Sequence, residues 1–157
     1  MRASGILMHI SSLPNNYGIG KLGKEAYEFA DFLKRAGQRY WQILPISPTS
    51  YGDSPYQSFS IYAGNPYFID FEALEKEGLL KPDEYKKVNF GSNEESVDFG
   101  LLYKTVFKVL KKAYLRFEPD FDFKRFESNN KWLDNYALFM ALKDAHGGRA
   151  WEEWEKP

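Results

Sequence analysis

The first third of the chain alternates between apolar and polar stretches in a way that predicts a strand, a helix and a second strand. The apolar run at residues 5–10 is typical of a strand buried on both faces of a parallel sheet. Apolar residues at helical spacing predict a helix over 24–36, and Gly37 is suited to end it. Residues 39–44 form a second apolar run that Pro45 ends. This order predicts a parallel pair of strands joined by a right-handed crossover.

Beyond residue 70 the pattern is mainly helical. Asp70 is placed to cap a short acidic helix over 71–77, and Asn130 to cap a final helix that ends near Ala145. The other predicted segments are a long amphipathic helix over 98–117, a connector over 119–126 and at most a short third strand over 67–69. We therefore divide the chain into a strand-containing part at 1–70 and a mostly helical part at 71–157.

The most unusual stretch is the long loop, residues 43–70, which follows the second strand. It is too long for an ordinary connection, and loops of this length usually carry function. Its aromatic residues alternate with Ser, Gln and Asn side chains, and Asp53 and Asp70 are its only carboxylates. In a parallel unit, the loops that follow the two strands emerge at the same edge of the sheet, where α/β proteins bind their ligands. Rings beside neutral hydrogen-bonding groups suit a sugar.

Length, charge and cysteine content narrow the class of protein. A chain of 157 residues suits one domain, and a net charge of −1 gives no electrostatic basis for binding nucleic acid or an anionic membrane. The apolar run near the start is too short to span a membrane. The sequence has no cysteine, which fits a reducing cytoplasm. Two distant histidines without cysteines argue against a metal site.

Four segments carry a resemblance to a known family: SSLPNNYGIGKLG at 11–23, WQILPISPT at 41–49, YGDSPYQSFSIYAGNPYFID at 51–70 and NYALFMALKD at 135–144. In these segments the chain resembles the amylomaltases, which are 4-α-glucanotransferases of the glycoside hydrolase 77 kind. The resemblance covers essentially the whole chain, and the GDSPYQS…AGNP pattern is its most specific part.

The resemblance implies an α/β fold in which this chain is the N-terminal portion of a (β/α)8 TIM barrel, with its first two strands and a largely helical insertion. It implies transfer of a segment of an α-1,4-glucan to the 4-hydroxyl of an acceptor, with maltooligosaccharides, starch or glycogen-type glucans as partners. The implied mechanism is retaining, needs no cofactor and uses carboxylates on later barrel strands. The chain itself is therefore expected to hold no catalytic residue, to be truncated at its C-terminus, and to be inactive alone.

The resemblance also assigns substrate-binding roles to Tyr56, Ser54 and Tyr51 of the long loop, and Asp53 is a further candidate because it is the carboxylate at the centre of that loop. Tyr56 matches a tyrosine that packs beside the sugar next to the scissile bond, the alternative being a core aromatic against Pro55. Ser54 matches a residue that reaches the sugar through its hydroxyl, or else it is a turn residue. Asp53 either accepts bonds from sugar hydroxyls or, as we favour, caps its own loop backbone. Tyr51 matches a tyrosine at a secondary glucan contact, or it is an ordinary exposed loop residue.

His9 ends the first strand at the predicted binding edge. It is either a contact for a sugar hydroxyl or the loop, or, as we favour, a structural histidine whose ring is hydrogen-bonded within the protein. Two other functions stay open for the chain as a whole. One is a non-catalytic glucan-binding module that uses the same aromatic loop, and the other is a mostly helical interaction domain in which the loop aromatics are core.

Overall fold

The computed structural model describes residues 2–50, 52–91, 93 and 95–154. The chain forms two compact units, Met1–Phe117 and Glu118–Pro157. The first contains both strands and the long loop, and the described part of the second contains two α-helices and a short 3-10 helix at Trp151–Glu153. The boundary that we predicted at residue 70 separates the start of a barrel from a helical insertion. It is a different kind of boundary from the one between these units, and it stays a prediction.

The first unit begins with the predicted strand, helix and strand. Strand β1 (Gly5–Leu7) pairs in parallel with β2 (Tyr40–Gln42), and helix α1 (Lys24–Arg35) connects them. Gly37 adopts the left-handed conformation, with φ of 72°, that ends α1, as predicted. The ring of Phe29 on α1 packs edge to face against Trp41 on β2, with centroids 4.9 Å apart. These contacts confirm the parallel unit.

The two strands differ from the prediction in length and burial. Each has three residues, and β1 is followed by a 3-10 helix at Ile10–Ser12 where the predicted strand would have continued. We predicted strands buried on both faces, and this was wrong, since Leu7 is 60% exposed and Tyr40 is also exposed. Among the described residues the sheet has only these two strands, so each of them has an unpaired edge.

The third predicted strand, at 67–69, is also wrong. Pro66–Phe68 forms a 3-10 helix that Asn65 caps at its N-terminus. The Asn65 side-chain oxygen accepts a hydrogen bond from the backbone N–H of Tyr67 at 3.0 Å, and Pro66 fixes φ at the first helical position. Local capping therefore outweighs the β propensity of the aromatic and branched side chains.

The core of the first unit is largely aromatic. It contains residues of helices α2 (Phe71–Lys76) and α3 (Phe99–Tyr114) and of the loop that follows β1. The ring of Tyr17 in that loop packs against the rings of Phe71, Tyr85 and Phe90, with ring centroids 5.4 to 5.9 Å apart. The predicted apolar stripe of α3 is buried against them through Leu102, Val106, Val109 and Ala113. The predicted cap of α2 is confirmed, since the Asp70 carboxylate accepts a bond from the N–H of Ala73 at 2.6 Å.

The second unit contains α4 (Phe121–Asn129) and α5 (Trp132–Ala145). We predicted a connector over 119–126, and this was wrong, because the Asp120 carboxylate caps a helix by accepting from the N–H of Phe123 at 2.8 Å. Asn130 does not cap α5 as predicted. Its side-chain oxygen instead accepts a bond from the indole N–H of Trp132 at 3.0 Å.

Candidate functional site

The two loops that follow the strands leave the sheet at the same edge. Leu7 is paired with Gln42 in the parallel register, and the backbone N–H of Met8 donates to the carbonyl oxygen of Gln42 at 3.0 Å. The first loop, residues 8–23, and the long loop therefore begin side by side. This is the carboxyl edge of the sheet, at which the sequence predicts a binding site.

The tip of the long loop is a tight, hydrogen-bonded hairpin. Thr49 and Ser58 form an antiparallel bridge, and the N–H of Ser50 donates to the carbonyl oxygen of Gln57 at 3.1 Å. The N–H of Gln57 in turn donates to the carbonyl oxygen of Ser54 at 3.0 Å, which closes a β-turn over 54–57 with a proline at its second position. The hairpin thus gives the tip a defined shape.

Tyr56 occupies the third position of this turn, and its side chain is 73% exposed. This excludes the alternative in which the ring is part of the core against Pro55. The ring lines an open depression of about 550 Å³ together with Ser50, Gln57, Ser58 and Phe59. Four of these five residues carry hydroxyl or amide groups, so the depression offers an aromatic face beside neutral hydrogen-bonding groups.

Two of the other predicted site residues, Ser54 and Asp53, lie in or next to the same turn. The Ser54 hydroxyl accepts a bond from the N–H of Tyr56 at 3.3 Å, so it also acts as a turn residue. Asp53 has a left-handed backbone with φ of 53°, and its N–H donates to the carbonyl oxygen of Ser50 at 3.0 Å. Its carboxylate accepts from the Thr49 hydroxyl at 3.3 Å, a side-chain partner where we had favoured the loop backbone. Tyr51 lies outside the described residues.

Burial affects the ionisation of two groups at the loop. It raises the pKa of Asp53 above its ordinary value, and the bond from the Thr49 hydroxyl opposes this shift. It also raises the pKa of Tyr67 to about 12, to which the nearby Asp53 carboxylate contributes. Tyr67 is therefore protonated at neutral pH, and its hydroxyl can both donate and accept hydrogen bonds.

Three hydrogen bonds hold the end of the long loop, one from an earlier residue of the same loop and two from the first loop. The N–H of Asn65 donates to the carbonyl oxygen of Ile46 at 2.8 Å, and that of Leu22 donates to Phe68 at 2.9 Å. The ammonium of Lys21, which is fully buried, donates to the carbonyl oxygen of Tyr67 at 2.9 Å. The first loop therefore fixes where the long loop ends.

Sequence reasoning did not identify Lys21, because a lone lysine between glycines gives no sign of burial. Its Nζ lies 4.0 Å from the centroid of the Phe71 ring. Burial lowers the pKa of Lys21 to about 8, although the nearby Asp70 carboxylate opposes this shift. Its role in the described contacts is to hold the backbone that leads into α2.

The described residues contain no group of three or more His, Cys, Asp or Glu side chains arranged to hold a metal ion. In the same part of the chain, no helix has the length and apolar character required to cross a membrane.

Comparison with known proteins agrees with this chemistry. The family model described as 4-α-glucanotransferase, of glycoside hydrolase family 77, matches residues 8–157. The chain belongs to this family. It is 56% identical over 152 residues to the 4-α-glucanotransferase of Clostridium butyricum, covering 95% of this chain and 31% of the relative. The enzyme of the same name from Thermus thermophilus is 48% identical over 163 residues, covering 99% of this chain and 32% of the relative.

A solved structure shows the same fold. The amylomaltase of Streptococcus agalactiae in complex with acarbose superposes with a TM-score of 0.94 at 46% identity, covering 99% of this chain and 32% of that chain. The chain thus spans about a third of the length of the relatives it matches. The family predicted from the GDSPYQS…AGNP pattern is confirmed.

Proposed function

We propose that the protein carrying this chain is a 4-α-glucanotransferase and that the long loop forms part of its glucan-binding surface. Membership of the family supports the activity, and the exposed Tyr56 ring on its hydrogen-bonded turn is the observation that supports the binding role. An α-glucan has C–H faces that an aromatic ring can cover and hydroxyls that Ser54, Gln57 and Ser58 can bond. The proposed substrates are maltooligosaccharides and starch- or glycogen-type glucans.

The proposed architecture is a (β/α)8 barrel in which β1 and β2 are the first two strands. The unpaired edges of this two-stranded sheet support that proposal, because neighbouring strands would cover them. The two carboxylates of a retaining mechanism, about 5–5.5 Å apart, would come from later strands. We propose the cytoplasm as the location, a reducing compartment that suits a cysteine-free sequence.

The individual roles within the loop are also proposals. Tyr56 packs against a sugar ring, and Ser54 uses the remaining capacity of its hydroxyl to bond the same glucan. Asp53 keeps the hairpin in shape through Thr49, and its second carboxylate oxygen is available to a sugar hydroxyl. Tyr51 provides a separate aromatic contact for the glucan.

The test is binding of acarbose and of maltohexaose to the full-length protein, measured by titration calorimetry, together with conversion of maltotriose into longer and shorter maltodextrins. Tyr56→Ala should weaken binding of both ligands by about tenfold, because the lost ring contact is worth roughly 1–1.5 kcal/mol. The matched control is Tyr27→Ala on α1, since this tyrosine is 74% exposed but lies outside the long loop.

If Tyr56→Ala and Tyr27→Ala both bind the ligands as well as the parent does and keep its circular-dichroism spectrum, Tyr56 has no part in the site. Binding of both ligands without any change in maltotriose would favour the non-catalytic glucan-binding module. A protein that neither binds nor converts these glucans would refute the proposed function.

A further inference from the structure

His9 lies beside both ends of the long loop. It follows Met8, whose backbone N–H bonds the carbonyl oxygen of Gln42 at 3.0 Å, so its backbone is level with the start of the loop. Its ring meets the ring of Phe68, near the end of the loop, edge to face with centroids 5.4 Å apart. The imidazole is therefore placed at the carboxyl edge of the sheet, where the two loops diverge.

The described residues form no hydrogen bond with the ring nitrogens of His9. Nδ1 is enclosed and has no hydrogen-bond partner among the described residues. No described group bonds the other nitrogen, Nε2, which is not among the enclosed atoms. This differs from our expectation of a structural histidine with a bonded ring, because such a residue normally bonds the protein through at least one nitrogen.

The burial of Nδ1 favours one tautomer of the ring. Burial lowers the pKa of His9, so the imidazole is neutral at neutral pH and carries a single N–H. A proton on Nδ1 would leave an enclosed donor unpaired, whereas a proton on Nε2 leaves only an enclosed acceptor unpaired. Orphaned buried donors are the rarer of the two in folded proteins. His9 therefore keeps an Nε2–H donor that the described residues do not use.

We infer that His9 is a glucan-binding residue, which donates its Nε2–H to a hydroxyl oxygen of a glucan held by the long loop. This inference rests on the proposed function, because it requires a glucan at this edge of the sheet. A sugar hydroxyl is a neutral acceptor and suits a neutral imidazole, since no charge has to be buried when the two meet.

Three variants of the full-length protein separate this role from a structural one, with maltohexaose as the ligand. His9→Gln places an amide nitrogen near the position of Nε2, His9→Asn places one near Nδ1, and His9→Phe keeps a ring against Phe68 but has no nitrogen. We expect His9→Gln to bind within about twofold of the parent, and His9→Asn and His9→Phe to bind about fivefold more weakly, which is the effect of one neutral hydrogen bond. The unfolding temperature of His9→Gln and His9→Asn should be the same.

Several results would overturn the inference. Equal affinity in His9→Phe and the parent would show that no ring nitrogen reaches the glucan. Full affinity in His9→Asn with loss in His9→Gln would assign a structural role through Nδ1, as would an Nδ1–H tautomer in the nitrogen-15 spectrum of the ring. If the parent binds maltohexaose and all three variants bind it with the affinity of the parent, the role of His9 is refuted and the proposed function is not. A parent that binds none refutes the proposed function as well.

Discussion

Replacement of Lys21 with Met should change how the stability of the protein depends on pH. Lys21 is fully buried, and its ammonium has the Tyr67 carbonyl, the Phe71 ring and the Asp70 carboxylate as partners. Burial outweighs these partners and lowers the pKa from 10.5 to about 8. At about 1.4 kcal/mol per unit, the charged form costs the folded state on the order of 3 kcal/mol relative to the unfolded chain.

The sign of the effect follows from proton binding. Below about pH 8, Lys21 is protonated in both the folded and the unfolded state, so it contributes no slope. Between about pH 8 and 10.5, the unfolded state binds a proton that the folded state does not, and the free energy of unfolding therefore rises with pH. Burial raises the pKa values of Tyr17 and Tyr67 from 10 to about 12. These two groups therefore lower the free energy of unfolding only when the pH rises above about 10, their ordinary pKa.

The assay is urea unfolding of the full-length parent and of Lys21→Met, followed by circular dichroism from about pH 7 to about pH 9.5. We expect the parent to gain on the order of 2 kcal/mol relative to Lys21→Met across this range. Lys24→Met is the matched control, because Lys24 is exposed and forms an ion pair with Glu28 at 3.6 Å on the helix surface, and its curve should stay parallel to that of the parent. Parallel curves for the parent and Lys21→Met would refute the reasoning about burial.

Three further predictions concern stability and activity. Leu102→Ala should lower the free energy of unfolding by about 2–5 kcal/mol, because Leu102 is fully buried in the core; a loss below 1 kcal/mol by urea unfolding would contradict this packing. Asp70→Ala should cost about 1 kcal/mol through loss of the α2 cap, whereas unchanged amide exchange at Ala73 would show that the cap is not used. The 157-residue chain alone should leave maltotriose unchanged, because the resemblance places the catalytic carboxylates on later strands; new maltodextrins in a chromatogram would refute this.

The features that local sequence determines could be predicted. Gly37 ends α1 in the left-handed conformation, and Asp70 caps α2, because these roles depend on one residue and its immediate neighbours. The parallel pair of strands followed from the same logic, since a helix between two apolar runs admits few other arrangements.

The features that failed depend on competition between local signals or on partners distant in sequence. The 3-10 helix at Pro66–Phe68 depends on the Asn65 cap, which the aromatic pattern concealed, and α4 depends on the cap from Asp120. The exposure of β1 and β2 could not be read from their apolar composition, because burial depends on neighbouring strands.

Part of the candidate site could likewise be predicted from the sequence, namely the residues of the long loop, whereas contacts between distant residues could not. The resemblance pointed to Tyr56 and Ser54, the residue types of the loop pointed to Asp53, and the structure brings these three together in one hairpin. The bond from Lys21 to Tyr67 could not be predicted, because it joins residues 46 positions apart in the sequence. The absence of a hydrogen bond from the described residues to the His9 ring likewise becomes visible only when its neighbours are known.

The central claim is that the hairpin at the tip of the long loop holds an α-glucan against the Tyr56 ring. A crystal structure of the full-length protein with maltohexaose tests it most directly. We predict a glucose ring stacked on Tyr56 within van der Waals distance, with hydroxyls bonded by neighbouring residues of the loop. A glucan bound at another surface, with the Tyr56 ring still exposed to solvent, would contradict the account.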